Sequence, residues 1–205
     1  KHQKCGSGSP YEPHHGGYDP WKPTDLSSVG DLDGDGKNEL ILSEMPHFNL
    51  GAGIFHVVSV DSSGAMTYRM KDKVSEPCPW PLEDNKKFNL WTAPRLRRCV
   101  SIGDIDGNGV NDIACGAPAC DAFYIITLNK DMTVKAERKH TALSENCTST
   151  NRWDRGFGWS LFNLGDLNGD GVDDLLVGDV RGGGLYVYFL QSDLSVSQTL
   201  WKVDL

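Results

Sequence analysis

The chain has 205 residues, 39% of them hydrophobic and 23% charged, with a formal net charge of −8. This length supports one sizeable core or two small ones. The acidic excess argues against a nucleic-acid partner, because phosphate binding needs clustered Lys and Arg. No apolar run approaches the roughly 18–20 residues of a membrane helix, so we expect no membrane insertion.

The chain begins with an irregular segment, residues 1–25, that is rich in Gly, Pro and His. It matches none of the repeated units that follow. It could be a disordered tail or an arm that docks along a neighbouring molecule. We expect the folded domain to span residues 26–205.

Three segments of this domain, residues 26–44, 99–117 and 161–179, align without gaps at offsets of 73 and 62 residues. Each has a short apolar run, a polar loop and a second apolar run, which predicts a β-hairpin. A third and a weaker fourth β-like stretch follow each hairpin. They lie at residues 53–60, 65–70, 122–128, 132–137, 184–190 and 195–203. This all-β pattern predicts blades of four antiparallel strands, as in a β-propeller, starting near residues 26, 99 and 161.

Each hairpin loop places oxygen-bearing side chains at relative positions 1, 3, 5 and 9, and glycine at positions 4 and 6. The side chains are Asp31, Asp33, Asp35 and Glu39, then Asp104, Asp106, Asn108 and Asp112, then Asp166, Asn168, Asp170 and Asp174. Position 7 would add a backbone carbonyl, from Lys37, Val110 or Val172. Calcium is a hard cation that takes six to eight oxygen ligands, and glycine at position 6 permits the sharp reversal. The spacing predicts three Ca²⁺ sites.

An EF-hand is disfavoured by position 12 of the same loops. That loop needs a bidentate Glu there, whereas this chain has Leu42, Cys115 and Val177. No helix is predicted on either side of the loops.

The third repeat contains Phe157-Gly158, the loop 165–171 and Leu176-Val177-Gly178, and residues 113–118 read Ile-Ala-Cys-Gly-Ala-Pro. In these motifs the chain resembles the FG-GAP repeat, the blade of the integrin-α-type β-propeller and of related secreted propellers. The resemblance implies that the bound ion stabilises each blade and takes no part in catalysis. The first repeat departs from it, with Ser43-Glu44-Met45-Pro46 in place of Gly-Ala-Pro.

Three blades do not close a propeller, since closed ones have about 4–8. The chain could be part of a larger propeller, or another chain could complete it. Self-association would give a ring or an open filament.

The six cysteines and one sequon favour a secreted or cell-surface protein. Asn146 begins the sequon and is the candidate glycosylation site. Cys99 and Cys115 fall at core strand positions of the second repeat, either as buried thiols or as a pair across the hairpin. The disulfide candidates in loops are Cys5, Cys78, Cys120 and Cys147.

These patterns favour a non-catalytic, calcium-stabilised extracellular module for adhesion, binding or self-assembly, with a protein or glycan as a further possible ligand. A carbohydrate-binding lectin is one alternative, because Trp80, Trp91 and Trp153 lie in two insertions between repeats. A secreted polysaccharide lyase or hydrolase is another. We find no nucleophile elbow, no HExxH and no Ser/His/Asp grouping, so we predict no catalytic residues.

Overall fold

The computed structural model describes residues 23–44, 53–75, 96–141, 156–180, 184–197 and 203–204. Their strands form three four-stranded antiparallel sheets. The first sheet contains β1 (Pro23–Gly30), β2 (Asn38–Glu44), β3 (Ile54–Val60) and β4 (Met66–Lys73). The second contains β5 (Cys99–Ser101), β6 (Ile113–Ala117), β7 (Ala122–Leu128) and β8 (Val134–Thr141). The third contains β9 (Phe157–Gly165), β10 (Asp174–Asp179), β11 (Gly184–Tyr188) and β12 (Val203–Asp204).

The predicted all-β class is confirmed, and within each sheet the strands pair with their neighbours in chain order. β1 begins three residues before the predicted start of the folded domain at Leu26. The only helix among the described residues is a 3₁₀ turn at Pro118–Cys120. No helix in the described ranges has the length and apolarity needed to cross a bilayer.

The three sheets stack in chain order, because β1 contacts β5 and β6 contacts β9. The second sheet is therefore covered on both faces. Its strand β7 is buried at every residue. Tyr124 and Ile126 point into a core shared with the first sheet, while Phe123 and Ile125 point into a core shared with the third. This explains why β7 is apolar at every residue except Thr127 instead of alternating.

Two glycines allow the second and third sheets to approach closely. A Cβ on Gly116 would collide with the backbone of Gly158, and a Cβ on Gly158 would collide with the carbonyl of Ala122. Gly158 also has a positive φ of 80°, which side chains rarely adopt. The neighbouring Phe157 is buried in the core between the second and third sheets. The Phe-Gly and Gly-Ala-Pro motifs thus meet at one sheet-to-sheet contact.

Cys99 and Cys115 are paired residues of β5 and β6 and form a disulfide. This decides between the two alternatives that the sequence left open. Cys120 is also disulfide-bonded. The remaining disulfide candidates, Cys5, Cys78 and Cys147, lie outside the described residues, as do Asn146 and the tryptophans Trp80, Trp91 and Trp153.

Candidate metal centres

Each acidic loop connects the first two strands of a sheet and has the same backbone course. The glycines at positions 4 and 6 all have positive φ, between 73° and 87°; they are Gly34, Gly36, Gly107, Gly109, Gly169 and Gly171. A residue with a Cβ would be strained at these positions. The alternation of left-handed glycines curls the loop and turns its amides inward.

The aspartate at position 1 accepts hydrogen bonds from these inward amides. In every loop its Oδ2 accepts from the amide of position 6. The N–O distances are 2.9 Å for Gly36 to Asp31, 2.7 Å for Gly109 to Asp104 and 2.8 Å for Gly171 to Asp166. The side chain at position 5 likewise accepts from the amide of position 7, at 2.8–2.9 Å, in Asp35, Asn108 and Asp170. The loops are held in shape largely by their own side chains.

The acid at position 9 is fully buried in all three loops and fastens each loop to its sheet. One oxygen accepts from the amide of position 2, at 2.8 Å for Glu39 and 2.9 Å for both Asp112 and Asp174. The other oxygen of Asp112 accepts from the Leu128 amide at 2.9 Å, and that of Asp174 from the Leu190 amide at 3.2 Å. The sequence predicted an acidic ligand here but not this anchoring role.

The side chain of Glu39 is one methylene longer than those of Asp112 and Asp174, and its second carboxylate oxygen accepts a hydrogen bond from a different kind of partner. Its Oε1 accepts from the hydroxyl of Ser59 on β3, at 2.7 Å. Ser59 could not be recognised from the sequence, because its contact depends on the pairing register of β2 and β3, in which it lies opposite Glu39.

In the first loop, positions 1, 3 and 9 converge: oxygens of Asp31, Asp33 and Glu39 all lie within 4.8 Å of one another. The position 5 side chain, Asp35, instead pairs with Lys37 Nζ at 2.7 Å. Arg69 from β4 donates to Asp33 at 2.8 Å. Two cationic side chains therefore lie around this acidic group.

In the second loop the same positions converge, with Asp104, Asp106 and Asp112 within 4.8 Å. Both carboxylate oxygens of Asp106 are buried, and no described residue donates a well-directed hydrogen bond to them. Lys135 from β8 places its Nζ 2.8 Å from Oδ2. Burial, together with the charges of Asp106 and Asp104, raises the pKa of Asp112 to about 6. Three acids with one paired cation leave this loop at the same formal charge, −2, as four acids with two paired cations leave the first, but here burial makes one acid harder to keep charged.

The third loop has an amide at position 3. Nδ2 of Asn168 donates to Asp170 at 3.0 Å, and its Oδ1 accepts from the Asp170 amide at 2.9 Å. Burial raises the pKa of Asp174, with smaller contributions from the charges of Asp170 and Asp166. A third metal site remains a prediction.

The donor set fits a hard cation. Every converging side chain offers carboxylate oxygen, which suits calcium or magnesium better than softer metals. Asp106 supplies a buried carboxylate whose oxygens lack directed hydrogen bonds, and basic side chains lie against both acidic groups. Two groups of described residues could therefore hold a metal ion.

A further ionic cluster lies on the first sheet, away from the loops. Glu44 accepts from His56 Nε2 at 2.9 Å and from Lys71 Nζ at 2.8 Å. Burial tends to raise the pKa of Glu44, but these two hydrogen bonds outweigh it and lower the pKa. The nearby hydroxyl of Tyr68 lies 3.1 Å from His56 Nδ1. The charges of this cluster are compensated within it.

No protein-family model matches this chain. The resemblance to FG-GAP repeats therefore depends on the motifs named above.

Proposed function

We propose that this chain is a calcium-stabilised extracellular module of the FG-GAP type, in which each four-stranded sheet is one propeller-like blade. The module serves adhesion, binding or structural assembly and is not catalytic. The observation that carries this proposal is the repeated loop geometry, with the acids of positions 1, 3 and 9 converging in the first two loops.

The loop context supports a structural role for the ion. Each loop joins two strands of one sheet, and its position 9 acid is buried against that sheet. Position 12 lies in strands β2, β6 and β10, at Leu42, Cys115 and Val177, and no described helix flanks a loop. A cation held there would fasten a hairpin and would have little freedom to move a helix, as EF-hand sensors do.

Charge balance also favours calcium. The three loops contain four, three and three acidic side chains at the ligand positions, within a net charge of −8. Three bound Ca²⁺ ions would reduce this charge to −2. The disulfides and the sequon at Asn146 support a location outside the cell, where calcium is abundant.

Removal of calcium is the direct test. Free calcium at about 100 times Kd stabilises a protein by about 2.7 kcal/mol per site. We therefore expect EGTA to lower the melting temperature by many degrees, and titration calorimetry to give three sites per chain.

Two controls sharpen this test. Magnesium at the same concentration should restore less stability, because it prefers a smaller octahedral shell. Asp104→Asn should remove one site, whereas Asp131→Asn, in an exposed turn whose carboxylate also accepts hydrogen bonds, should leave all sites intact. An unchanged melting temperature after chelation would show the proposal to be wrong.

A further inference from the structure

The first and second acidic loops are joined by hydrogen bonds from one residue, Asn111. It occupies position 8 of the second loop, between Val110, the predicted carbonyl ligand of position 7, and Asp112, the acid of position 9. Its backbone N–H donates to the carbonyl of Leu32 at 2.8 Å, and its Nδ2 donates to the carbonyl of Asp31 at 3.2 Å. Both acceptors lie in the first loop, so Asn111 connects the two groups of converging acids.

In the first loop, Asn111 holds the peptide unit between Asp31 and Leu32. The carbonyl of this unit accepts from Asn111 Nδ2, while its N–H donates to Oε2 of Glu39 at 2.8 Å. Asp31 and Glu39 are the acids of positions 1 and 9, which converge with Asp33. A shift of this peptide unit would therefore move the two acids relative to each other.

In the second loop, the same contact starts from the peptide unit that contains the predicted carbonyl ligand. The carbonyl of Val110 and the N–H of Asn111 belong to one trans peptide unit, so the two groups point in opposite directions. A cation on the Val110 carbonyl would polarise this unit and strengthen its N–H as a donor to Leu32. Ion binding in the second loop would therefore tighten the bond to the first.

The hydrogen bonds of Asn111 lie beside a packed junction. Leu32 and Val110 are buried in the same core between the first and second sheets, and Asn111 is itself half-buried. Water therefore competes weakly with these hydrogen bonds. Both sheets of the junction belong to the described chain, and the two loops meet through packing as well as hydrogen bonds.

The junction between the second and third loops lacks this link. Position 8 of the third loop is Asp173, whose carboxylate has no N–H to donate to a carbonyl. It accepts from Nδ2 of Asn163 at 2.6 Å, and the same Nδ2 donates to the carbonyl of Ser101 at 2.9 Å. Within the described ranges, no hydrogen bond joins Asp173 to the second loop. The third loop is thus linked to strand β5, outside the residues that converge.

We propose, on the basis of the calcium sites proposed above, that Asn111 couples the first site to the second, so that calcium bound in either loop raises the affinity of the other. The third loop binds independently of the first. The sign of the coupling is diagnostic, because direct repulsion between two bound cations would lower each affinity.

The coupling has a physical origin in loop order. An empty loop holds carboxylates that repel one another, whereas a bound ion draws them together. A loop that its ion has ordered offers its neighbour a fixed partner for the contact through Asn111. The neighbouring loop then loses less conformational freedom when it binds its own ion, which is positive cooperativity.

Calcium titration of the full chain, followed by NMR, tests the coupling. The amides of Gly36 and Gly109 report on the two loops separately, because each donates to the position 1 acid of its own loop. Asp106→Ala disables the second site, and its carboxylate accepts no directed hydrogen bond from a described residue that would be lost. This variant should weaken calcium binding at Gly36 about fivefold. Asp33→Ala should weaken binding at Gly109 by the same factor, since coupling is reciprocal.

Variants of Asn111 test whether this residue carries the coupling. In an Asn111→Ala chain, Asp106→Ala should have little effect on the affinity at Gly36. Asn111→Asp should behave in the same way, and the third repeat shows that the loop accepts an aspartate there. Asn38→Ala is the matched control: Asn38 occupies position 8 of the first loop and is exposed, so the effect of Asp106→Ala should persist.

Hydrogen exchange gives a second readout of the same contact. In the Asp106→Ala chain, calcium binding to the first loop should slow exchange of the Asn111 amide, because its acceptor at Leu32 becomes fixed. Asp170→Ala, which alters only the third loop, should leave the calcium affinity at Gly36 unchanged.

Three results would overturn the coupling: an unchanged affinity at Gly36 in Asp106→Ala, a higher affinity there, or an effect that persists in both Asn111 variants. Each of these results leaves calcium binding itself intact. Calcium that changes the signals of neither Gly36 nor Gly109 in the unmodified chain would refute the calcium proposal instead.

Discussion

The first and second acidic loops share one geometry but balance their charge differently. Around the first, Arg69 and Lys37 pair with the acids of positions 3 and 5. Around the second, Lys135 is the only described side chain in an ion pair with the acids, and the pKa of Asp112 is raised to about 6. The loop shape is the same with different surrounding cations, because hydrogen bonds from the loop amides to the side chains of positions 1 and 5, together with the glycines, produce it. What differs is the cost of keeping the acids charged, so we expect the second loop to depend more strongly on a metal ion.

The largest expected effect is that of Asp112→Ala. It would leave the buried amides of Ile105 and Leu128 without their acceptor and remove a metal ligand. Buried unsatisfied groups cost about 1–3 kcal/mol each, so we expect a loss of about 3–5 kcal/mol in urea unfolding with calcium present. Asp131→Ala, in an exposed turn, is the control and should lose much less. Equal losses in the two variants would contradict an anchoring role for position 9.

The second prediction concerns pH in the absence of calcium. Because Asp112 has a pKa of about 6 in the folded chain against an ordinary value of 3.8, the folded state holds its proton more tightly than the unfolded state. Its contribution to stability therefore falls as pH rises from about 4 to about 6, is largely absent at pH 7, and is regained on acidification toward pH 4. The contribution is at most about 3 kcal/mol, since one pKa unit corresponds to about 1.4 kcal/mol.

Saturating calcium should reverse this dependence, because protons then compete with the ion for the carboxylates. Asp112→Asn should flatten the calcium-free curve. A calcium-free curve that is the same in the variant and the unmodified chain would contradict the assignment to Asp112.

The smallest effects are expected from replacing the basic side chains that pair with the loop acids, and they concern calcium affinity. Arg69 and Lys135 come from the fourth strand of their sheets, and each pairs with the position 3 acid at 2.8 Å. Because they compete with a metal ion, Arg69→Gln and Lys135→Gln should each tighten calcium binding, by about two- to fivefold for an ion pair worth about 0.5–1 kcal/mol. Titration calorimetry measures this. The Lys135 variant should show the larger change, because Lys37 still pairs with Asp35 in the first loop, whereas no described cation would remain in an ion pair with the second. A larger change for Arg69→Gln would contradict this ranking.

Much of the local structure could be predicted from the sequence. The strand predicted at residues 122–128 is observed with the same limits as β7, because the five residues between its ends are β-branched or aromatic and loops flank it. The strand predicted at residues 132–137 is displaced and extends from Val134 to Thr141. Its polar sequence carries little alternation, so pairing with β7 determines its limits.

The candidate metal sites were predictable only in part, because some of their side chains come from other strands of the sheet. The acids of positions 1, 3 and 9 follow from spacing within one loop. Ser59, Arg69 and Lys135 reach the loops from other strands, and no local pattern marks them. The sequence also left the pairing of Cys99 with Cys115 open, until the register of β5 and β6 placed the two residues opposite each other.

By itself, the sequence determined the loops and the strands, because glycine conformation, carboxylate spacing and β-propensity act over a few residues. Only the tertiary structure decided which apolar residues are covered. Leu32 and Leu167 are both leucines at position 2 of their loops, yet Leu32 is buried and Leu167 is exposed. Burial depends on the neighbouring sheet, which no local pattern specifies.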